Sequence, residues 1–238
     1  LGKRVLVTGD HPGFVVNRLL APYLNQALLL LGRGVTAETL ETAAREFGMP
    51  ISPLELIDRI GIRTAFDSGR VFWRAFPKRI DPAPILPGMI KANRLGSAAG
   101  GGFFEPLIDE PAGESPGPLH PRALEVIARY AREPRVWRTA EVIENLAIPM
   151  WIEAAQILAD RVVGSLEEIE LAVAGGLGFQ GGFYRFFDAF GCQRLREVLA
   201  SAGNTPALTA PDRLIETLTS APSPSSASLR YAGLGSRA

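Results

Sequence analysis

Residues 12–31 read PGFVVNRLLAPYLNQALLLL, and the fold turns on how this stretch is understood. Pro12 and Gly13 close a turn. From 14 to 31 the apolar density is that of a buried helix, without the alternation of a half-buried strand. Gly32 and Gly34 end it. Pro22 lies inside the run, where it removes one backbone hydrogen bond and bends the helix. The same features return later in the chain. Pro22-Tyr23-Leu24-Asn25-Gln26-Ala27 lines up with Pro149-Met150-Trp151-Ile152-Glu153-Ala154, 127 residues on. Thr36, which opens a helix carrying Leu40, Ala43, Ala44 and Phe47 at helical spacing, lines up with Ser165. Asp58-Arg59-Ile60-Gly61 lines up with Asp188-Ala189-Phe190-Gly191, 130 residues on. Any one pair arises easily by chance, but the ordered set argues for an internal duplication.

Working outward, Ser52-Pro53-Leu54-Glu55 and Ser165-Leu166-Glu167-Glu168 both read as capping boxes at helix starts. Further helices are expected over 53–72 with a break at Gly61, and over 85–93, 122–132, 139–162 and 183–200. The opening LGKRVLV, residues 1–7, is strand-like, and a chain beginning there is expected to be cut from a longer polypeptide. The prolines, glycines and acids between 106 and 118 predict a linker. The Ser, Pro and Ala composition from 219 to 238 predicts disorder. The expected organisation is therefore all-α, with one helical domain over 1–105, a linker over 106–118, a second and divergent helical domain over 119–218, and a disordered tail over 219–238.

Lys plus Arg and Asp plus Glu both number 25, so the formal charge is zero and gives no reason to expect nucleic acid as a partner. The one cysteine, Cys192, leaves no internal disulfide and no Cys-based zinc motif. The unbroken apolar runs fall short of the roughly 20 residues of a membrane span. A cytoplasmic or organelle-matrix setting fits this composition.

Few residues invite a chemical role. Asn17 is a polar side chain in an apolar helix start. It either bonds locally, as such residues commonly do, or presents an amide to a hydroxyl or carbonyl oxygen. His11 and His120 are the two histidines, and they lack partners at ligand spacing, so no metal site is expected. His11 beside Asp10 has the chemistry of a general base. Glu55 and Asp58 share a helix face, and a structural role is expected for both. Gly100, Gly101 and Gly102 lack the flanking Lys-Ser or βαβ context of a phosphate loop. Phe183, Tyr184, Phe186, Phe187 and Phe190 read first as packing, and second as a groove for an acyl tail.

Taken in order, Pro12-Gly13-Phe14-Val15-Val16-Asn17-Arg18-Leu19, Phe47-Gly48-Met49-Pro50, Pro53-Leu54-Glu55-Leu56-Ile57-Asp58 and Gly100-Gly101-Gly102-Phe103-Phe104 closely resemble the C-terminal domain of 3-hydroxyacyl-CoA dehydrogenases. The later unit resembles the second copy found in multifunctional fatty-acid-oxidation alpha subunits. The resemblance implies a helical domain like the C-terminal domain of 6-phosphogluconate dehydrogenase, duplicated in tandem. It implies an NAD-dependent enzyme of fatty acid β-oxidation whose cofactor domain and catalytic His–Glu pair lie before Leu1. His11 is then not the base, and the isolated chain is expected to bind no cofactor and to be inactive. Asn17 is the substrate-site residue that the resemblance carries over, facing a 3-hydroxyacyl-CoA. A homodimer, or the other subunits of a fatty acid oxidation complex, are the implied protein partners. Departures from the pattern are Ser52, Ala98 and Phe104 in the first unit and Ile152 in the second, where a familiar asparagine is absent. The alternative function is a helical module without catalytic work, used for dimerisation or assembly.

Overall fold

The computed structural model describes residues 4–106, 117–203 and 205–234. Twelve α-helices run through them: α1 Val16–Gly32, α2 Ala37–Phe47, α3 Pro53–Ile60, α4 Ile62–Ala75, α5 Ile85–Lys91, α6 Pro121–Arg129, α7 Thr139–Ala159, α8 Leu166–Leu177, α9 Phe183–Phe190, α10 Cys192–Ser201, α11 Asp212–Ser220 and α12 Pro224–Tyr231. Among the described residues the only β-pairing is an isolated bridge between Gly96 and Gly101. The fold is all-α.

Local chemistry sets the helix starts. Thr36 and Ser52 accept the backbone N–H of Thr39 and Glu55, and Ser165 accepts that of Glu168. The Glu168 carboxylate reaches back to the N–H of Gly164 rather than to that of Ser165, so the second box is displaced by one residue. Gly61 (φ 90°, ψ 135°) separates α3 from α4, and Gly191 (φ 83°, ψ 153°) separates α9 from α10 in the same way.

Helix α7 is long and apolar enough to cross a bilayer, but 83% of its most apolar window is buried inside the protein. Its main partners are α1 and α2, with α12 packed against it as well. Pro22 of α1 and Pro149 of α7 line one small hollow between the two helices. The main apolar core runs from Val15 through Trp151 to Ala227, so residues before and after the 106–118 segment share it, and a small second cluster joins Ala21, Phe72 and Ile80. The N–H of His120 donates to the carbonyl of Phe103 at 2.8 Å, another tie across that segment. Most of the expected linker, residues 107–116, lies outside the described residues.

Two expectations are corrected. Residues 4–9 form no strand; they run along the surface with Val5 and Val7 exposed, because no neighbouring strand offers its backbone. The chain after 219 is not disordered through 231. It ends α11 and then forms α12, started by Ser223, whose hydroxyl accepts the N–H of Ser226. Serine and alanine are used there as small packing residues: Ala227 and Ser228 are both fully buried. Residues 235–238 lie outside the described set.

Candidate functional site

A cavity of about 290 Å³ opens between α1, α4, α5 and the segment 80–84. Leu20, Leu24 and Leu28 of α1 form one wall, and Phe66 and Trp73 of α4 form the opposite one. Two amides from α1 line the same cavity, and the structure uses them differently. The Asn25 side chain is fully engaged: its Nδ2 donates to the carbonyl of Asp81 and its Oδ1 accepts the N–H of Ala83, both at 2.8 Å. It thereby pins the segment that closes the cavity. Asn17, two turns earlier, is exposed and makes no side-chain hydrogen bond among the described residues. Asn17 also lines a second hollow, between residues 4–16 and α8, and is the residue common to both.

The position of Asn17 is fixed by its neighbours. The turn before it contains Gly13 (φ 79°) and Phe14 (φ 48°), a left-handed conformation that a phenylalanine rarely adopts. Phe14 donates its N–H to the His11 carbonyl, and Arg18 donates its own to the Gly13 carbonyl. Arg18 itself is fully buried. Its Nε donates to Glu153 at 2.8 Å and its Nη2 to Asp160 at 2.6 Å, both across the interface with α7. Arg79 adds a second cation to Glu153 at 3.2 Å, and both guanidinium groups lie against the ring of Phe76. The first turn of α1 is therefore anchored to α7 by charge-assisted bonds. Sequence reasoning passed over Arg18 and treated Glu153 only as part of an alignment. The available signal was Arg18, the one charged residue of α1, and Glu153, the one charged residue in the apolar stretch of α7 after Asn145, since charges are rarely buried unless paired.

The other candidates fall away from the cavity. His11 sits in the turn before α1 and lines neither hollow. His120 starts α6, where its Nδ1 accepts the N–H of Arg122. No group of three or more His, Cys, Asp or Glu side chains suited to a metal occurs among the described residues. Glu55 takes the Arg59 guanidinium at 2.8 Å. Asp58 is buried beneath the glycine-aromatic turn and accepts the N–H groups of Phe103 (2.8 Å) and Phe104 (2.9 Å). Arg94 holds the same turn from the other side through the carbonyls of Gly102 and Phe104. A Cβ at Gly102 would collide with the Asp58 carboxylate, which is why glycine stands there. Burial pushes the Asp58 carboxyl up to about 6, against the lowering effect of the two amides and Arg94. In the later half Asp188 does similar work, accepting the N–H and the hydroxyl of Ser225.

The aromatic residues of α9 pack around Phe47, Phe179 and Trp151, with Phe47 to Phe186 at 4.9 Å and Phe47 to Phe179 at 5.0 Å between ring centres. They pack the junction of α2, α7 and α9, and the open hollow that remains beside them has Arg45, Glu46, Gln180 and Arg185 in its lining, which suits an apolar tail poorly. A dinucleotide needs a strand, a glycine turn and a helix start to take its pyrophosphate. The described residues contain no such unit, and Gly102 lies over the Asp58 carboxylate, so these residues do not fit NAD.

Residues 13–106 match the 3-hydroxyacyl-CoA dehydrogenase C-terminal domain. The fatty acid oxidation complex subunit alpha of Acinetobacter baumannii (strain SDF) is 33% identical over 197 residues, which is 80% of this chain and 27% of that subunit. The corresponding subunit of Pseudomonas paraeruginosa is 32% identical over 196 residues, with the same coverage. The chain thus spans 27% of the length of these curated relatives. The fold is similar to part of 3-hydroxybutyryl-CoA dehydrogenase from Escherichia coli K12, with a TM-score of 0.71 at 19% identity over 92% of this chain and 62% of that one. The dehydrogenase part of multifunctional enzyme 1 from C. elegans gives a TM-score of 0.59 at 19% identity, over 86% and 47%. The chain is homologous to fatty acid oxidation complex alpha subunits and has the all-α fold of the 3-hydroxyacyl-CoA dehydrogenase C-terminal region.

Proposed function

We propose that this chain supplies the helical side of the acyl-CoA site in an NAD-dependent 3-hydroxyacyl-CoA dehydrogenase of the alpha-subunit type, with the cofactor and the proton acceptor held by residues outside those described. The observation that carries the reading is the contrast between the two amides of α1. Asn25 is spent on the fold, while Asn17 stands unpartnered at the mouth of an apolar cavity on a helix start anchored by Arg18. An amide carried on so firmly anchored a helix start can donate to the oxygen on which charge changes during oxidation of a 3-hydroxyl.

The later half, on this reading, is a second copy that replaces a dimer partner. The parallel work of Asp58 and Asp188 supports it, each lying three residues before a glycine helix break and each clamping the backbone further along its own half.

Asn17→Ala tests the proposal in the longer enzyme that contains the cofactor domain. Loss of one donor to a developing charge lowers turnover about 100-fold, while the exposed position leaves the melting temperature nearly unchanged. The 238-residue chain by itself is expected to show no NAD-dependent oxidation of 3-hydroxyacyl-CoA. Unchanged turnover per folded Asn17→Ala molecule would sink the assignment.

A further inference from the structure

One residue in the wall of the α1–α4 cavity is smaller than the fold requires. Gly69 lies in the interior of α4, where glycine is among the poorest helix formers. Its backbone has no left-handed φ, and a Cβ added there would meet nothing within 4 Å. Neither conformation nor crowding accounts for it. Its effect is on the cavity: it lies on the face of α4 that carries Phe66 and Trp73, and it keeps the wall between them open towards Leu20, Leu24 and Leu28. The lining is apolar apart from Asn17, Asn25, Ser68 and Arg70. Asn25 is already satisfied by backbone, and Arg70 pairs with Asp67 at the surface.

We infer that this cavity takes the hydrocarbon tail of a medium-length acyl group and that Gly69 sets the length it accepts. A volume of about 290 Å³ is many times the roughly 10–15 Å³ that one water-sized group needs, far more than a butyryl tail fills. Naming the tail as acyl rests on the proposed role of Asn17; the preference for a long alkyl chain rests on the cavity alone.

The test uses the 238-residue chain with decanoate and butyrate as probes, followed by calorimetry and by the fluorescence of Trp73 in the cavity wall. Each buried methylene raises affinity about 4-fold, so decanoate binds at least about 100-fold more tightly than butyrate. Gly69→Leu fills the wall, weakens decanoate by about 30-fold and raises the melting temperature, because a good helix former replaces glycine at an unobstructed site. Gly69→Ala falls between the two. Leu24→Phe narrows the cavity from the opposite wall and gives the same loss should Gly69→Leu fail to fold. Equal affinity for decanoate and butyrate, or full decanoate binding by folded Gly69→Leu, overturns the inference and leaves the role of Asn17 untouched. Conversely, unaltered turnover in Asn17→Ala would remove the acyl assignment while the alkyl binding stood.

Discussion

Arg18 and Asp58 are both charged residues in the interior, and they differ in how their charge is met. The Arg18 guanidinium faces two carboxylates and an aromatic ring, so its desolvation is offset by charge-assisted bonds. Asp58 has two amide donors and the more distant Arg94, and burial prevails, holding its carboxyl at about 6 against 3.8 for an ordinary aspartate. The folded protein therefore holds the Asp58 proton more tightly than the unfolded chain does. Its contribution to stability is full below about pH 4 and is lost as pH rises through about 6. A difference of this size corresponds to about 3 kcal/mol. Asp58→Asn has no such titration and keeps one acceptor for the Phe103–Phe104 amides, while its own NH₂ faces the other. Urea unfolding of both proteins between pH 4 and pH 7 should show wild type losing stability relative to Asp58→Asn as pH rises. A gap that stays constant, or moves the other way, contradicts the assignment. At this scale the sequence was only partly legible. Asn17 is singled out by its motif, whereas Arg18, its neighbour, acquires its meaning from Glu153, 135 residues away. No local pattern links those two.

Helix starts were the most legible elements, because capping is local: Thr36, Ser52, Ser165 and His120 all stand one residue before a helix. The break at Gly61 was equally readable, since glycine there follows an apolar helix end. The last helix was misread for a physical reason. Composition equates Ser, Pro and Ala with poor burial, but α12 packs through small side chains that allow close approach to α7 and α9. Its starting turn is clamped by Asp188, which accepts the Ser225 N–H at 2.9 Å and its hydroxyl at 2.7 Å. A chain ending at Ala221 loses that clamp and uncovers the apolar surfaces beneath Ala227. Losing the two bonds to a carboxylate costs about 1–3 kcal/mol, with further loss from the uncovered surface. The melting temperature of the shortened chain should fall accordingly, whereas a chain ending at Leu234 should melt like the full one. If removal of residues 222–238 were neutral, α12 would contribute nothing and the compositional reading would stand after all.

Across the whole molecule, the duplicated pattern suggested two domains joined by a linker, yet the two halves do not keep separate interiors. Tyr23, Phe47, Trp151 and Phe187 belong to one apolar cluster, and the Arg18–Glu153 pair is buried at the junction. Gly48 accepts the N–H of Gln180 through its carbonyl, so the loops after α2 and α8 also meet. Burying each central helix against the other removes apolar surface that neither half covers alone, at roughly 25 cal/mol per Å². Two consequences follow for a chain carrying a protease site inserted between residues 107 and 116. Cleavage should leave both pieces together through native gel filtration, since the shared core and the Arg18–Glu153 pair do not run through the cut segment. The cut also converts an intramolecular association into a bimolecular one, so the melting temperature of the nicked protein should rise with protein concentration, while that of the intact chain should not. Both forms should unfold in one transition seen alike by far-UV circular dichroism and by Trp151 emission, because that tryptophan sits where the halves join. Pieces that separate on native gel filtration after cleavage, or two resolved transitions in the intact chain, would mean that each half folds around a core of its own, and the Arg18–Glu153 pair would then be a contact between finished domains rather than part of the interior of one.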